Sequence, residues 1–144
     1  MIETLNLSAA DADRLIEAAA ARAEEIGVPQ NIAVVDAAGH LVAFRRMDGA
    51  KFISIEIAIA KAFSAAGARK DTAEIGPATQ PGMPGFGLQV LQGGRFTTLP
   101  GGVAILRGDN VIGAIGVSSG TTAEDQDVAK AAKAAFDAAS PGSR

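Results

Sequence analysis

The sequence predicts an α+β fold, in which helices pack on a central antiparallel sheet. Capped and periodic segments follow one another in the order helix, hairpin, helix, long loop, hairpin, helix, and hairpins pair their strands antiparallel. Hydrophobic residues make up 48% of the 144 residues, which is enough for a buried core. We therefore expect one domain over residues 1–144, with about five short strands and three helices.

The first helix is predicted to begin directly after Ser8, because a serine hydroxyl caps helix N-termini and strong helix formers follow it. It is predicted to end at Gly27, since glycine often follows a helix and Pro29 cannot continue one. Residues 31–35 and 41–44 are short apolar runs on either side of a turn at 36–39. They predict the first hairpin, in which the Asp36 carboxylate supports the turn.

A second helix is predicted over residues 52–66, where large apolar residues recur at three- and four-residue steps. The stripe consists of Phe52, Ile55, Ile59, Phe63 and Ala66, and further isoleucines widen it into a broad apolar arc. Such a helix is expected to be buried on two sides. The opposite sector is small or polar and contains Lys61, which is expected either to be solvated or to enter a pocket. An arc this wide predicts that a second layer or a neighbouring subunit covers the helix.

Residues 76–87 contain three prolines and four glycines, which interrupt regular structure and predict the longest loop. Long loops in compact domains often bind ligands, so a ligand is expected here first. Strands are predicted over 88–91 and 95–98, and the clearest hairpin joins 103–106 to 111–117. A Thr-Thr-Ala-Glu capping box at 121–124 predicts a final helix that ends near residues 140–142.

Charge and residue usage exclude several classes of function. A formal net charge of -3 leaves no cationic surface for nucleic acid or an anionic membrane. The absence of cysteine excludes thiolate metal sites and cysteine nucleophiles, and a single histidine excludes chemistry built on paired imidazoles. The N-terminus lacks the pattern of a secretory signal, and no apolar run approaches the roughly 20 residues of a membrane-spanning helix. We therefore expect a cytoplasmic protein without nucleic-acid or membrane partners.

Residues 116–120 match the G-x-S-x-G motif of serine hydrolases, between a predicted strand and a predicted helix. That chemistry needs a histidine later in the chain, whereas the only histidine, His40, comes earlier. Ser118 is therefore predicted not to be a nucleophile. Instead, the backbone N–H groups at the start of the final helix are expected to hold an anionic ligand; these belong to Gly116, Ser118, Ser119 and Gly120.

Three side chains are further candidates for ligand contact or catalysis. Phe86 lies in the long loop, where it is expected either to stack on a ligand or to pack under its own loop. Arg95 follows two glycines and can bind a carboxylate through two hydrogen bonds, unless it is simply solvated. Glu56 falls inside the apolar arc, where a charge needs a partner. It is therefore either a functional carboxylate or the partner of Arg45, Arg46 or Lys70.

Five blocks of the chain, in the family's order, resemble the GlcG/HbpS family. They are VDAAGHLV at 35–42 with RMD at 46–48, KAFSAA at 61–66, PGGV at 100–103, VIGAIGVS at 111–118 and EDQDVA at 124–129. The resemblance implies a profilin-like α/β/α fold, with a five-stranded antiparallel sheet and helices on both faces, and a homo-oligomer. The chain departs from the family pattern at Ala104, where proline is usual, and at Ser119, where glycine is usual.

Some members of that family bind haem, so the resemblance makes haem a possible cofactor, although nothing in the sequence requires one. Because the chain has no cysteine or tyrosine, the iron ligand would be His40, a methionine or an oxygen donor such as a threonine hydroxyl. No other metal site is expected.

Two functions from different classes fit these observations. The favoured hypothesis is a small-molecule-binding protein of a catabolic pathway, with an anionic or haem-like ligand held by Phe86, Arg95 and the 116–120 turn. The alternative is a cofactor-independent lyase or isomerase acting on a small carboxylate intermediate, with Glu56, Lys61 or Arg95 as its catalytic groups.

Overall fold

The computed structural model describes residues 1–140. Within them, helix α1 spans Ala9–Ile26, strands β1 and β2 span Asn31–Asp36 and Leu41–Arg46, and helix α2 spans Ser54–Ala68. A short helix α3 at Thr72–Ile75 leads into three 3-10 turns, at Gly76–Thr79, Leu88–Val90 and Gln92–Gly94. Strands β3 at Gly102–Arg107 and β4 at Asn110–Ser118 precede helix α4 at Thr122–Ala139.

The two long amphipathic helices begin at the caps that the sequence predicts. The Ser8 hydroxyl accepts a hydrogen bond from the Asp11 N–H, and the Thr121 hydroxyl accepts one from the Glu124 N–H; both acids bond back to their cap, which completes a capping box. Helix α1 ends where Gly27 adopts a φ of 70°, in the left-handed region that favours glycine. Of the residues predicted to end α4, Ser140 caps it, whereas Pro141 and Gly142 lie outside the described residues.

The four strands found within residues 1–140 form one sheet in the order β2-β1-β4-β3, and every neighbouring pair is antiparallel. This arrangement confirms the predicted α+β class and both hairpins. The expectation of five strands was wrong, since residues 88–91 and 95–98 form no strand. Gly87, Gly93 and Gly94 all have φ values between 66° and 87°, so the backbone between the hairpins curls into short turns instead of extending.

Helices cover both faces of the sheet. Helices α1 and α4 pack on one face and bury its large apolar side chains, which include Ile32, Val34, Ile105, Ile115 and Val117. Helix α2 packs on the other face over small residues, among them Ala33 and Ala114. No helix within residues 1–140 is both long and apolar enough to cross a membrane.

Helix α2 lies with its small-residue side against the sheet, although the sequence shows that side as the polar or small sector. Ala58, Ala62 and Ala65 are fully buried, whereas the large apolar residues Ile55, Ile59 and Phe63 are only partly buried. The approach is so close that a Cβ at Gly116 in β4 would clash with the carbonyl oxygen of Ala58. Small side chains are what allow a helix to sit this low on a sheet, so the broad apolar arc is turned outward.

Candidate functional site

A groove runs along the outward face of α2. Its deeper part is a cavity of about 430 Å³ between α2 and the turn at 93–95, and it continues into a second cavity of about 530 Å³ that shares Glu56, Ala60 and Gly94. We call the two together the α2 groove. The deeper cavity is lined by Gly39, Glu56, Ile59, Ala60, Phe63, Gly93, Gly94 and Arg95.

The far wall of the groove is the segment 89–99, and it is fastened to α2. The Ser64 hydroxyl donates to the Ala60 carbonyl at 2.7 Å and accepts from the Thr97 N–H at 2.9 Å. Further along the segment, the Thr72 hydroxyl donates to the Leu99 carbonyl at 2.7 Å. Both hydroxyls belong to buried residues, and they fasten the segment to α2 through Ser64 and to α3 through Thr72.

Arg95 projects from this wall over the ring of Phe63 on α2. The guanidinium carbon lies 4.2 Å from the centre of the Phe63 ring, which is a cation–π contact. Its Nε donates to the Gln92 carbonyl at 3.3 Å. These two contacts orient the guanidinium while leaving its terminal N–H groups available, and such groups match a carboxylate.

Glu56 lines the same cavity on α2. Its side chain is exposed, and among residues 1–140 it forms no ion pair with Arg45, Arg46 or Lys70, while Arg45 pairs with Glu17 instead. Arg95 likewise has no ion-pair partner in that range. The groove therefore presents a carboxylate and a guanidinium that do not satisfy each other.

Lys61 lies on the opposite side of α2, buried against the sheet. Only 1% of the residue is exposed, and its Nζ donates to Asp125 Oδ2 at 2.8 Å and to the Val117 carbonyl at 2.9 Å. Burial lowers the pKa of Lys61, and the hydrogen bond and charge of Asp125 oppose that change. The expectation of a solvated Lys61 was wrong, because the small-residue side of α2 is buried against the sheet.

The sequence gives little sign of the Asp125 partnership. Asp125 reads as an ordinary acid in the first turn of a helix, yet it is 2% exposed and its Oδ1 also accepts from the Gly120 N–H at 3.0 Å. Only a lysine placed among small apolar residues on α2 hints that a buried partner is needed.

Phe86 is not part of the α2 groove. It lies 66% exposed in the loop and lines a separate cavity of about 220 Å³ with Pro84, Gly85, Gly87, Leu88 and Leu91. The structure thus places Phe86 and Arg95 on the same stretch of chain but in different cavities.

The 116–120 turn lies against the start of α2 and α4. Gly116 pairs with Ala33 and Gly102 inside the sheet, and Ser118 is 4% exposed. The Ser119 hydroxyl accepts from the Lys51 N–H at 2.9 Å, and the Gly120 N–H donates to Asp125. None of these residues lines the α2 groove, and the N–H groups of Gly116 and Gly120 already have partners within the protein.

His40 stands beside the groove in the turn between β1 and β2. Its side chain is 81% exposed, and its Nδ1 lies 3.8 Å from Asp36 Oδ2. Asp36 Oδ1 accepts from the N–H groups of Ala38 and His40, which confirms that Asp36 supports the turn. Within residues 1–140, no group of three or more His, Cys, Asp or Glu side chains is placed to hold a metal ion.

Comparison with known proteins gives a consistent result. The family model described as "Haem degrading protein HbpS-like" matches residues 7–134. An uncharacterized 15.0 kDa protein of the dhaT-dhaS intergenic region of Citrobacter freundii is 38% identical over 135 residues, covering 94% of each chain. The corrinoid adenosyltransferase PduO of Citrobacter freundii is 37% identical over 132 residues, which are 92% of this chain but only 39% of PduO.

Among solved structures, one described as a PduOC:heme complex has a TM-score of 0.88 and 35% sequence identity, and the match covers 92% of this chain and 96% of that one. The resemblance to the GlcG/HbpS family that the sequence blocks indicate is thereby confirmed.

Proposed function

The chain belongs to the HbpS-like family, and from this membership we propose that it is a small-molecule-binding protein whose ligand, either a small anion or haem, places a carboxylate against Arg95 in the α2 groove. The HbpS-like fold of the neighbour described as a PduOC:heme complex supports ligand binding on this scaffold. We place the protein in the cytoplasm and, as the family resemblance implies, in a pathway of small-molecule catabolism.

The observation that carries the proposal is the setting of Arg95. Its guanidinium is held over Phe63 at 4.2 Å and by the Gln92 carbonyl at 3.3 Å, and it faces a cavity with apolar walls at Ile59 and Ala60. A cation oriented in advance loses less conformational entropy when a ligand binds, and its terminal N–H groups can form charge-assisted hydrogen bonds with a carboxylate. Apolar walls with a few oriented polar groups are typical of small-molecule sites.

The groove residues can contact the porphyrin ring and a propionate of haem, but they supply no strong ligand for its iron. Ile59 and Phe63 can contact the porphyrin ring, and Arg95 can bind a propionate. None of the residues that line the groove is a histidine, cysteine, methionine or tyrosine. A strong iron ligand would have to come from His40, which follows Gly39 at the rim of the groove. When bound, haem would supply a redox-active iron.

Titration with haem and with 4-methylbenzoate tests the proposal. We expect a Soret shift or a calorimetric signal with at least one of them, weakened about tenfold by Arg95→Gln, as for the loss of one charge-assisted interaction. The control Arg107→Gln, on an exposed arginine outside the groove, should leave the affinity unchanged. Equal binding by Arg95→Gln would show that the site lies elsewhere, with the 116–120 turn and Phe86 as the remaining proposals. Binding by neither ligand would contradict the proposed function.

A second candidate function is the cofactor-independent lyase or isomerase. The observation that favours it is that Glu56 and Arg95 line one cavity without an ion pair between them, as a general base and a carboxylate anchor would. Lys61 is a poorer candidate for catalysis, because it is buried and bonded to Asp125. Hydrogen–deuterium exchange at the α-carbon of a bound carboxylate, lost in Glu56→Gln, would support this function over simple binding.

We also propose that the protein is a homo-oligomer. Phe52 and Ile53, just before α2, are 77% and 67% exposed, and the apolar arc of α2 continues from them along the groove. Exposed apolar residues that adjoin one another in this way are typical of an interface. A second copy of the chain that contacts Phe52 and Ile53 would also narrow the open side of the groove.

A further inference from the structure

We infer that the α2 groove selects ligands with a carboxylate at one end and a hydrogen-bond donor, best an ammonium group, at the other. This inference rests on the proposed function, since it assumes that Arg95 binds a carboxylate in the groove. It adds the second recognition group, Glu56, and the separation between the two ends of the ligand.

The residues that line the helix side of the groove form a single row. Glu56, Ile59 or Ala60, and Phe63 follow at steps of three and four residues, so their side chains lie above one another on one face of α2. The first and last members of the row are seven positions apart, which corresponds to about 10 Å along the helix axis. Because Arg95 sits over Phe63, the guanidinium and the Glu56 carboxylate stand at opposite ends of this row.

The two ends carry opposite charges, and neither charge is neutralised by a protein partner within residues 1–140. Glu56 has no ion pair or hydrogen bond there, and the terminal N–H groups of Arg95 have none either. A carboxylate accepts hydrogen bonds and donates none. The ligand group facing Glu56 must therefore be a donor, and a second carboxylate at that end would be repelled.

The row also requires an extended ligand. Its carboxylate and its donor must be separated by an apolar body that contacts Ile59 and Ala60. An α-amino acid is too short, because its two charged groups are attached to the same carbon. A para-substituted benzene ring holds its two end groups apart along one axis.

Three benzoates that differ only in the para substituent test this inference by calorimetry. They are 4-(aminomethyl)benzoate, 4-methylbenzoate and benzene-1,4-dicarboxylate. We expect the aminomethyl compound to bind about tenfold more tightly than 4-methylbenzoate, and the dicarboxylate to bind more weakly than both. Glu56→Gln should remove the preference for the ammonium group and improve binding of the dicarboxylate. Glu24→Gln, on an exposed glutamate of α1 outside the groove, should change neither.

Failure of the inference can be distinguished from failure of the proposed function. Equal affinity for the aminomethyl and methyl compounds, or a preference that survives in Glu56→Gln, overturns the inference. The proposed function then still stands if Arg95→Gln weakens binding of 4-methylbenzoate or haem. If none of the benzoates nor haem binds, the proposed function and the inference fall together.

Discussion

Lys61 is the largest fully buried side chain among the described residues, and its ammonium group has partners only inside the protein. It joins three elements, since it lies on α2, donates to the end of β4 at Val117, and pairs with Asp125 on α4. The desolvation of two charges is offset only while both are present. Removal of only one member should therefore destabilise the fold, because it leaves the other charge buried without a partner.

The first prediction concerns this pair. Lys61→Met should lower the free energy of unfolding by about 3–5 kcal/mol, because it leaves the Asp125 carboxylate buried without its cation. In Lys61→Met/Asp125→Asn the charge is gone, and the Asn side-chain oxygen can still accept from Gly120, so the loss should be clearly smaller than the sum of the two single losses. Urea unfolding of the four proteins measures this. Additive losses would show that the two side chains do not act as a pair.

Asp71 gives a prediction about pH. Burial raises the pKa of Asp71, although its Oδ1 accepts from the Ala104 N–H. Because its pKa is raised, this carboxyl group holds more protons in the folded than in the unfolded state at pH values above its ordinary pKa of 3.8. Its contribution to stability is thus fully present below that value and is lost as the pH rises through the folded pKa.

The parent protein should lose stability as the pH rises from about 4 to neutrality, and Asp71→Asn should abolish this loss. The asparagine side-chain oxygen can still accept from the Ala104 N–H. We expect the variant to be at least as stable as the parent at pH 7, and the advantage to shrink toward pH 4. Denaturant unfolding of both proteins at the two pH values checks the sign. A variant that loses stability only at pH 7 would contradict the prediction.

Single residues differ in how far the sequence could predict them. Arg95 and Glu56 were identifiable, because a cation after two glycines and a charge within an apolar arc stand out locally. That both line one groove depends on the path of segment 89–99, which is fixed by bonds such as Ser64 to Thr97. The Lys61–Asp125 pair joins residues far apart in the chain, so local patterns carry no information about it.

At the scale of elements, the contact of α2 with the sheet is made by glycine and alanine. Gly102 and Gly116 face α2 at positions where a Cβ would clash with the carbonyl oxygens of Lys61 and Ala58. Backbone atoms cannot move aside as a flexible side chain can. The helix can therefore reach this depth only while both strand positions lack a side chain.

The second glycine provides a matched test. Gly116→Ala should destabilise the fold by about 3 kcal/mol or more, because α2 must move away from β4. Gly67→Ala, on the exposed side of α2, meets no atom within 4 Å and should instead stabilise the helix by up to about 1 kcal/mol. Thermal unfolding of both variants provides the comparison. Equal effects of the two substitutions would show that close packing at Gly116 is unimportant.

Elements with strong local signals follow the sequence closely, and those without do not. Caps at Ser8 and Thr121 and the turn after β3 are encoded by adjacent residues, so α1, α4 and the second hairpin lie where they were expected. Periodicity located α2 but did not show which side packs on the sheet, because that depends on the space beneath the helix. The apolar residues at 88–91 suggested a strand, yet the glycines around them have positive φ values.

At the scale of the whole molecule, the outward arc of α2 and the preceding Phe52 and Ile53 bear on assembly. Light scattering at micromolar concentration should give a mass larger than the 14.5 kDa of one chain. Phe52→Glu combined with Ile53→Glu should reduce it to that of a monomer, since two carboxylates cannot be buried in an apolar contact. Phe86→Glu, on a similarly exposed aromatic in the loop, is the control. A monomeric parent protein would contradict the proposal.

The expectation of a single domain over residues 1–144 stays a prediction.

The sheet order described above also bears on how the chain assembles. Strands β1 and β4 are central neighbours, but β1 pairs locally with β2 near one end of the sequence and β4 with β3 near the other. A backbone cut in the exposed stretch 81–84 would leave each hairpin whole in a separate fragment, each with one central strand edge unpaired. Mixing the two fragments should restore the sheet through the β1–β4 pairing. The chain is therefore suited to fragment complementation, and reassembly would have the bimolecular kinetics of a two-component reporter.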